Sequence, residues 1–147
     1  MTRSPNLLKC WHPVAYSHTL ANTPLAVKLL DRFLVLWRSA DGAPHALDDL
    51  CIHRGTALSL GEVKGDEIMC PYHGWRYNAQ GACTLIPQRR QDAIPSKARV
   101  GSHLCMERYG LIWIALEQPL HNLPEIPELE NGAWKIVQTG PFEWRSD

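Results

Sequence analysis

The pattern Cys51-x-His53, sixteen residues, then Cys70-x-x-His73 constrains this chain more than anything else in it. Each half delivers one thiol and one imidazole, a donor set that binds transition metals. Each is followed closely by a glycine, Gly55 or Gly74, that lets the backbone turn tightly and approach a bound group, to which its N–H can donate. Two loops this far apart meet only if the fold brings the ends of different elements together. Short strands joined by turns do so readily, and the sequence has them.

Apolar or alternating runs bounded by turn residues predict strands at 25–30, 33–38, 45–47, 68–69, 75–77, 83–86, 100–107 and 111–116. Turns fall at Asp31-Arg32, Ala40-Asp41-Gly42, Lys64-Gly65-Asp66, Asn78-Ala79-Gln80-Gly81 and Tyr109-Gly110. The expectation is an all-β fold of antiparallel sheets, with the wholly apolar run 111–116 buried on both faces. From Glu117 the texture changes. Pro119, Pro124 and Pro127 alternate with Glu125, Glu128 and Glu130, which predicts an exit linker over 118–147 after a domain over 1–117, with Trp134 and Phe142-Glu143-Trp144 beginning further structure.

Lys plus Arg and Asp plus Glu number 15 each, and no basic block suits nucleic acid or an anionic membrane surface. No stretch is apolar enough to span a membrane, and the N-terminus lacks the apolar core of a secretion signal. Five cysteines, an odd count, suit a reducing cytoplasm better than a disulfide framework. Cys10, Cys83 and Cys105 read as small buried hydrophobes, His12, His18 and His45 as surface or capping residues. Trp11, Trp37, Trp113, Trp134 and Trp144 read as core or edge-covering rings, and Arg89-Arg90 with Lys97 and Arg99 as a basic face.

A [2Fe–2S] diamond must be gripped at both ends, and two mixed loops can do that, with Cys51 and Cys70 on one iron and His53 and His73 on the other. Tetrahedral Zn²⁺ is the alternative for a two-plus-two set, although zinc motifs usually pair like with like and each half here is mixed.

Cys51-Ile52-His53-Arg54-Gly55 and Cys70-Pro71-Tyr72-His73-Gly74-Trp75-Arg76-Tyr77, with Gly81 and Ile86-Pro87 downstream and Trp11-His12-Pro13-Val14-Ala15 upstream, carry a further signal. They resemble the Rieske domain of the Rieske non-heme iron oxygenases, the terminal oxygenase components of aromatic-ring hydroxylases and demethylases. The resemblance implies a Rieske fold, antiparallel sheets with a smaller cluster-binding subdomain at about residues 47–87. It implies a Rieske [2Fe–2S] cluster on Cys51, His53, Cys70 and His73. Arg54, Gly55, Tyr72, Gly74, Trp75 and Tyr77 surround it, with Trp75 shielding it from water, Tyr77 reaching a cluster sulfur and Arg54 available to a partner's carboxylate. Respiratory-type Rieske proteins carry an extra cysteine in each loop, at positions matching Thr56 and Tyr72, and a serine at the position of Trp75. Their absence implies a potential toward the low end of the Rieske range, roughly −150 to 0 mV.

The implied function is one-electron transfer from a reductase or ferredoxin to a mononuclear Fe(II), in this family commonly that of a neighbouring subunit. No His-x-x-x-x-His pair is present to hold that iron, so it is expected only in a catalytic domain beyond this chain, which cannot oxygenate alone. His103 with Glu107 and His121 with Glu125 are the nearest metal-like pairs, but the first lies on a predicted strand and the second in the proline-rich stretch. A freestanding Rieske-type ferredoxin is the alternative carrier.

Overall fold

The computed structural model describes residues 5–89, 93–130, 132–135, 137 and 139. Its elements are β1 (His12–Tyr16), β2 (Leu25–Leu29), β3 (Arg32–Arg38), β4 (Pro44–Asp48), β5 (Glu62–Lys64), β6 (Glu67–Met69), β7 (Arg76–Tyr77), β8 (Cys83–Leu85), β9 (Ser102–Arg108), β10 (Leu111–Ala115) and a single turn of helix, α1 (Pro127–Glu130). All strand pairings are antiparallel, in a larger sheet ordered β1-β10-β9-β4-β3-β2 and a smaller one ordered β5-β6-β7-β8. This is the all-β arrangement expected. Because β4 pairs with β9, the residues between them form an insertion, and that insertion carries both Cys/His loops and the smaller sheet.

Turn chemistry sets the registers. The β2–β3 hairpin turns at Leu30-Asp31, one residue before the expected place, with φ of +46° and +61°. Tyr109-Gly110 joins β9 to β10 with φ of +57° and +73°, a left-handed pair that matches the twist of the strands it connects. β1 and β5 escaped the sequence reading. Pro13 sits in β1 without penalty because β1 is an edge strand, and the register shifts beside it, between Pro13 and Ala15.

The strand buried on both faces is β3, not 111–116. Leu34 and Leu36 point into a core with Ala46, Ile112 and Ile114, whereas Val35 and Trp37 point into a second core with Leu47, Leu58, Ile68 and Tyr77. In β10, Ile112 and Ile114 are buried, but Leu111 and Trp113 are only half-buried. The reason is position: the inserted sheet packs over β3, while among the described residues no second sheet lies over the outer face of β10. Cys51 and Cys70 belong to the core beneath that inserted sheet.

Gly81 joins the two sheets. Its carbonyl accepts from Val100 N–H at 2.9 Å, its φ is +76°, and an added Cβ would lie 2.2 Å from Val100 O. Gly81→Ala is therefore expected to destabilise the chain by about 3 kcal/mol, summing left-handed strain and overpacking. A denaturant midpoint equal to that of the parent would contradict this.

Arg38 gathers loose ends, donating to Leu20 O at 2.8 Å, Gly42 O at 2.7 Å and Ser17 O at 3.2 Å, and pairing with Glu107 at 2.6 Å. The hydrogen bond from Arg38 holds the Glu107 carboxyl below its ordinary value. A folded-state value below the unfolded one gives stability that is present above the unfolded pKa and lost as pH falls through the folded one. The pair is partly exposed, so Glu107→Gln should remove under about 1 kcal/mol at pH 7 and nothing at pH 2, read by melting at both pH values.

After β10 the chain returns along the N-terminal segment, with Glu117 N–H donating to Leu8 O at 2.9 Å and Leu120 N–H to Lys9 O at 3.0 Å. Glu130 then accepts from Tyr109 Oη at 2.8 Å and pairs with Arg108. Trp134 is exposed, and Phe142, Glu143 and Trp144 lie outside the described residues, as does Arg90. Among the described residues no helix is long and apolar enough to cross a membrane.

Candidate functional site

Cys51 follows β4 and Cys70 follows β6, and their loops share one hydrogen-bond frame. Each cysteine carbonyl accepts from the glycine four residues on, Gly55 at 2.8 Å and Gly74 at 3.1 Å. Each cysteine N–H donates to the carbonyl five residues on, Thr56 or Trp75, at 2.8 Å. Glycine is needed there because φ is +71° at Gly55 and +73° at Gly74. Closing the turns thus engages the N–H groups expected to approach a bound group. The backbone N–H groups of Tyr72 and His73 reach the Cys70 sulfur instead.

Within this common frame the histidine is the third residue of one loop and the fourth of the other. The imidazoles meet, with ring centroids 4.6 Å apart and planes at 62°. At the inner end Cys51 and Cys70 are each 2% exposed and lie in one buried cluster. Burial first, and the neighbouring Cys51, push the Cys70 thiol up, so a bound cation would favour its thiolate. Tyr77 Oη lies 3.2 Å from Cys51 Sγ. Burial and that sulfur push the phenol far above its ordinary value, so it stays protonated and can donate to a thiolate at that position.

The Trp75 ring stacks on His53 at 4.6 Å with planes only 6° apart, fixing the imidazole plane. Tyr72 packs against His73 at 3.9 Å and is 63% exposed, which makes it part of the rim. Desolvation first, then His73 and the Arg54 guanidinium, hold His53 below the ordinary imidazole value, favouring the neutral ring that binds metal. His73 Nδ1 is buried and has no hydrogen-bond partner. Gln88, which the sequence reading missed, donates from Nε2 to His73 O at 3.1 Å; its only hint was its place after Ile86-Pro87. A cleft of about 810 Å³ opens before the imidazoles, with exposed Arg54 at its edge.

Among the described residues no three His, Cys, Asp or Glu side chains form a group able to hold one metal ion. A thiol pair at one end and an imidazole pair at the other suit two metal centres. The other sequence candidates are dispersed. His103 Nε2 lies 2.8 Å from Asp48 Oδ1, while Glu107 pairs with Arg38. His12 and His45 bond Leu7 O at 2.8 Å and Ser39 Oγ at 2.9 Å, and His18 stacks on Tyr16. Cys83 is buried, whereas Cys10 and Cys105 are only half-buried at residue level.

The Rieske [2Fe–2S] domain family matches residues 10–109. The chain belongs to that family. It is 41% identical over 142 residues to methylxanthine N1-demethylase NdmA of Pseudomonas putida, covering 91% of this chain and 40% of that protein. It is 38% identical over 139 residues to the oxygenase component of a 3-ketosteroid-9-alpha-monooxygenase of Rhodococcus rhodochrous, covering 91% and 34%. The structure of NdmB from Pseudomonas putida CBB5 superposes with a TM-score of 0.83 at 32% identity, over 88% of this chain and 42% of that one. The chain thus spans about two fifths or less of the length of these relatives.

A Rieske domain carries a [2Fe–2S] cluster, and the residues fit one. The buried thiol pair matches the cysteine end of a mixed cluster, and the partnerless His73 Nδ1 is a nitrogen that a second iron would satisfy. All five cysteines are free, so neither loop carries the disulfide of the respiratory Rieske proteins.

Proposed function

We propose that Cys51 and Cys70 hold one iron of the cluster and His53 and His73 the other, and that the chain carries single electrons as the Rieske part of a non-heme iron oxygenase. The observation that carries this reading is the segregation of the four donors by one repeated loop frame, thiols inward and imidazoles outward. When bound, the cluster takes up and gives back one electron at a time. Arg54, Gly55, Tyr72, Gly74, Trp75 and Tyr77 surround it.

The side chains around it set the conditions. Cys51, Cys70, Leu58, Ile68 and Tyr77 exclude water from the thiol end, and Tyr77 donates its O–H to Cys51 Sγ. Trp75 and Tyr72 hold the imidazoles so that their outer edges face the cleft, the shortest way out for an electron. The relatives' names, a demethylase and a monooxygenase component, support an oxygenase setting in which a reductase or ferredoxin donates and a mononuclear iron outside these residues accepts. The cytoplasm is the proposed compartment.

Titrating the iron–sulfur-loaded protein with dithionite and following its visible absorbance tests the reading. About one electron per chain is expected; no uptake, or stoichiometric zinc in place of iron and sulfide, would contradict it. Tyr77→Phe should keep the cluster and lower its potential by about 40 mV, because a hydrogen bond to sulfur favours the more negative reduced state by about 1 kcal/mol. A potentiometric titration checks this, and an unchanged potential would mean that the phenol does not act on the sulfur.

A further inference from the structure

Two residues before Cys51, Asp49 is tied down by three hydrogen bonds. Asp49 is only 9% exposed, its N–H donates to Phe33 O at 2.9 Å, and its two carboxylate oxygens accept from Ser59 N–H at 2.7 Å and Ser59 Oγ at 2.6 Å. These bonds join the end of β4 to the turn after the loop, so Cys51 to Thr56 is closed off like a staple, anchored through Phe33 to β3 of the larger sheet. No cation is paired with Asp49 among the described residues, so its compensation comes from Ser59. A nearly buried negative charge two residues from Cys51 is weakly screened and opposes the arrival of an electron.

We propose that Asp49 is a positioning residue for the redox centre, one whose clamp on Ser59 fixes the Cys51 loop and whose fixed charge lowers the cluster's potential. The inference rests on the electron-carrier reading and deepens it by assigning a residue that tunes the centre without touching it. A carboxylate that only stabilised the turn would alter melting and leave the potential where it was. Asp48 supplies the contrast. It is the neighbouring carboxylate, but it bonds His103 Nε2 on β9.

The experiment is potentiometric titration of the cluster-loaded chain in three variants, with iron and sulfide contents and the melting of each recorded alongside. Asp49→Asn keeps an oxygen for Ser59 N–H and removes the charge. It should shift the ratio of reduced to oxidised cluster at least tenfold toward reduced at fixed ambient potential, which is 59 mV upward for one electron. Ser59→Ala keeps the charge, deletes one compensating donor and should shift the potential downward. Asp48→Asn makes the same charge change toward His103 and should shift it less than Asp49→Asn. An unmoved potential in Asp49→Asn, or equal shifts for Asp48→Asn and Asp49→Asn, would overturn the inference. Should Asp49→Asn fail to fold, Ser59→Ala decides: a fall supports the charge, no change overturns it. A parent protein that takes up no [2Fe–2S] cluster would instead overturn the electron-carrier reading itself.

Discussion

Serine in place of Cys70 is expected to lower cluster content more than about tenfold, because the substitution removes a donor that nothing nearby can replace. A serine hydroxyl ionises far less readily than a thiol, and Cys70 already lies in a buried place where burial and Cys51 oppose ionisation. The nearest other buried thiol, Cys83, engages Leu85 O at 3.6 Å and starts from β8, outside both loops. Iron and sulfide assay of the purified variant, with the melting of the apo form as a control for folding, checks this. His73→Cys gives the complementary result: a retained cluster whose potential falls by on the order of 100 mV, since a thiolate adds negative charge where a neutral ring stood. An unchanged potential would mean that His73 is not a ligand.

The second large effect is on stability. Trp37→Ala should cost about 3–5 kcal/mol, because the ring is fully buried and packs in the core that the thiols share. For a chain of this size that corresponds to a fall in Tm on the order of 10–15 °C. Phe33, on the same strand, is 66% exposed, and Phe33→Ala should change stability by under about 1 kcal/mol. Comparable losses from the two would contradict the view that β3 is the strand shared by both cores. The Trp37 loss should also reduce cluster retention, as Cys51 and Cys70 sit in the same core.

The sheets were legible from local grammar. β2, β3, β4, β6, β7, β8, β9 and β10 lie within a residue or two of the alternating and apolar runs that predict them, because each is bounded on at least one side by a short turn. What escaped was tertiary. Whether an apolar strand is covered once or twice depends on where the insertion folds back, and neither β3 nor β10 carries that information in its own residues. β1 was missed as a strand because Pro13 interrupts its pattern, and β5 because three residues are too few to show one.

At the site, residue types singled out the four candidate donors, since a thiol and an imidazole in each of two glycine-bearing loops have few other uses. The identity of the frame in the two loops was hidden, because histidine spacing differs and the equivalence lies in backbone hydrogen bonds from Gly55 and Gly74. The turns these glycines close, through their own N–H groups, were not visible in the sequence. Trp75 was read as a cover, and only the three-dimensional meeting of the loops makes it a stacking partner of His53. Gln88 and Asp49 act through backbone and serine groups of other segments, and nothing in a linear reading pairs them with His73 or Ser59.

Electron paramagnetic resonance of the dithionite-reduced protein tests the central assignment most directly, because it reports the ligand set rather than iron content alone. Two imidazoles on one iron and two thiolates on the other predict a rhombic signal whose average g value lies below that of an all-cysteine [2Fe–2S] cluster. An average g in the all-cysteine range, or a colourless protein with stoichiometric zinc and no signal, would contradict it.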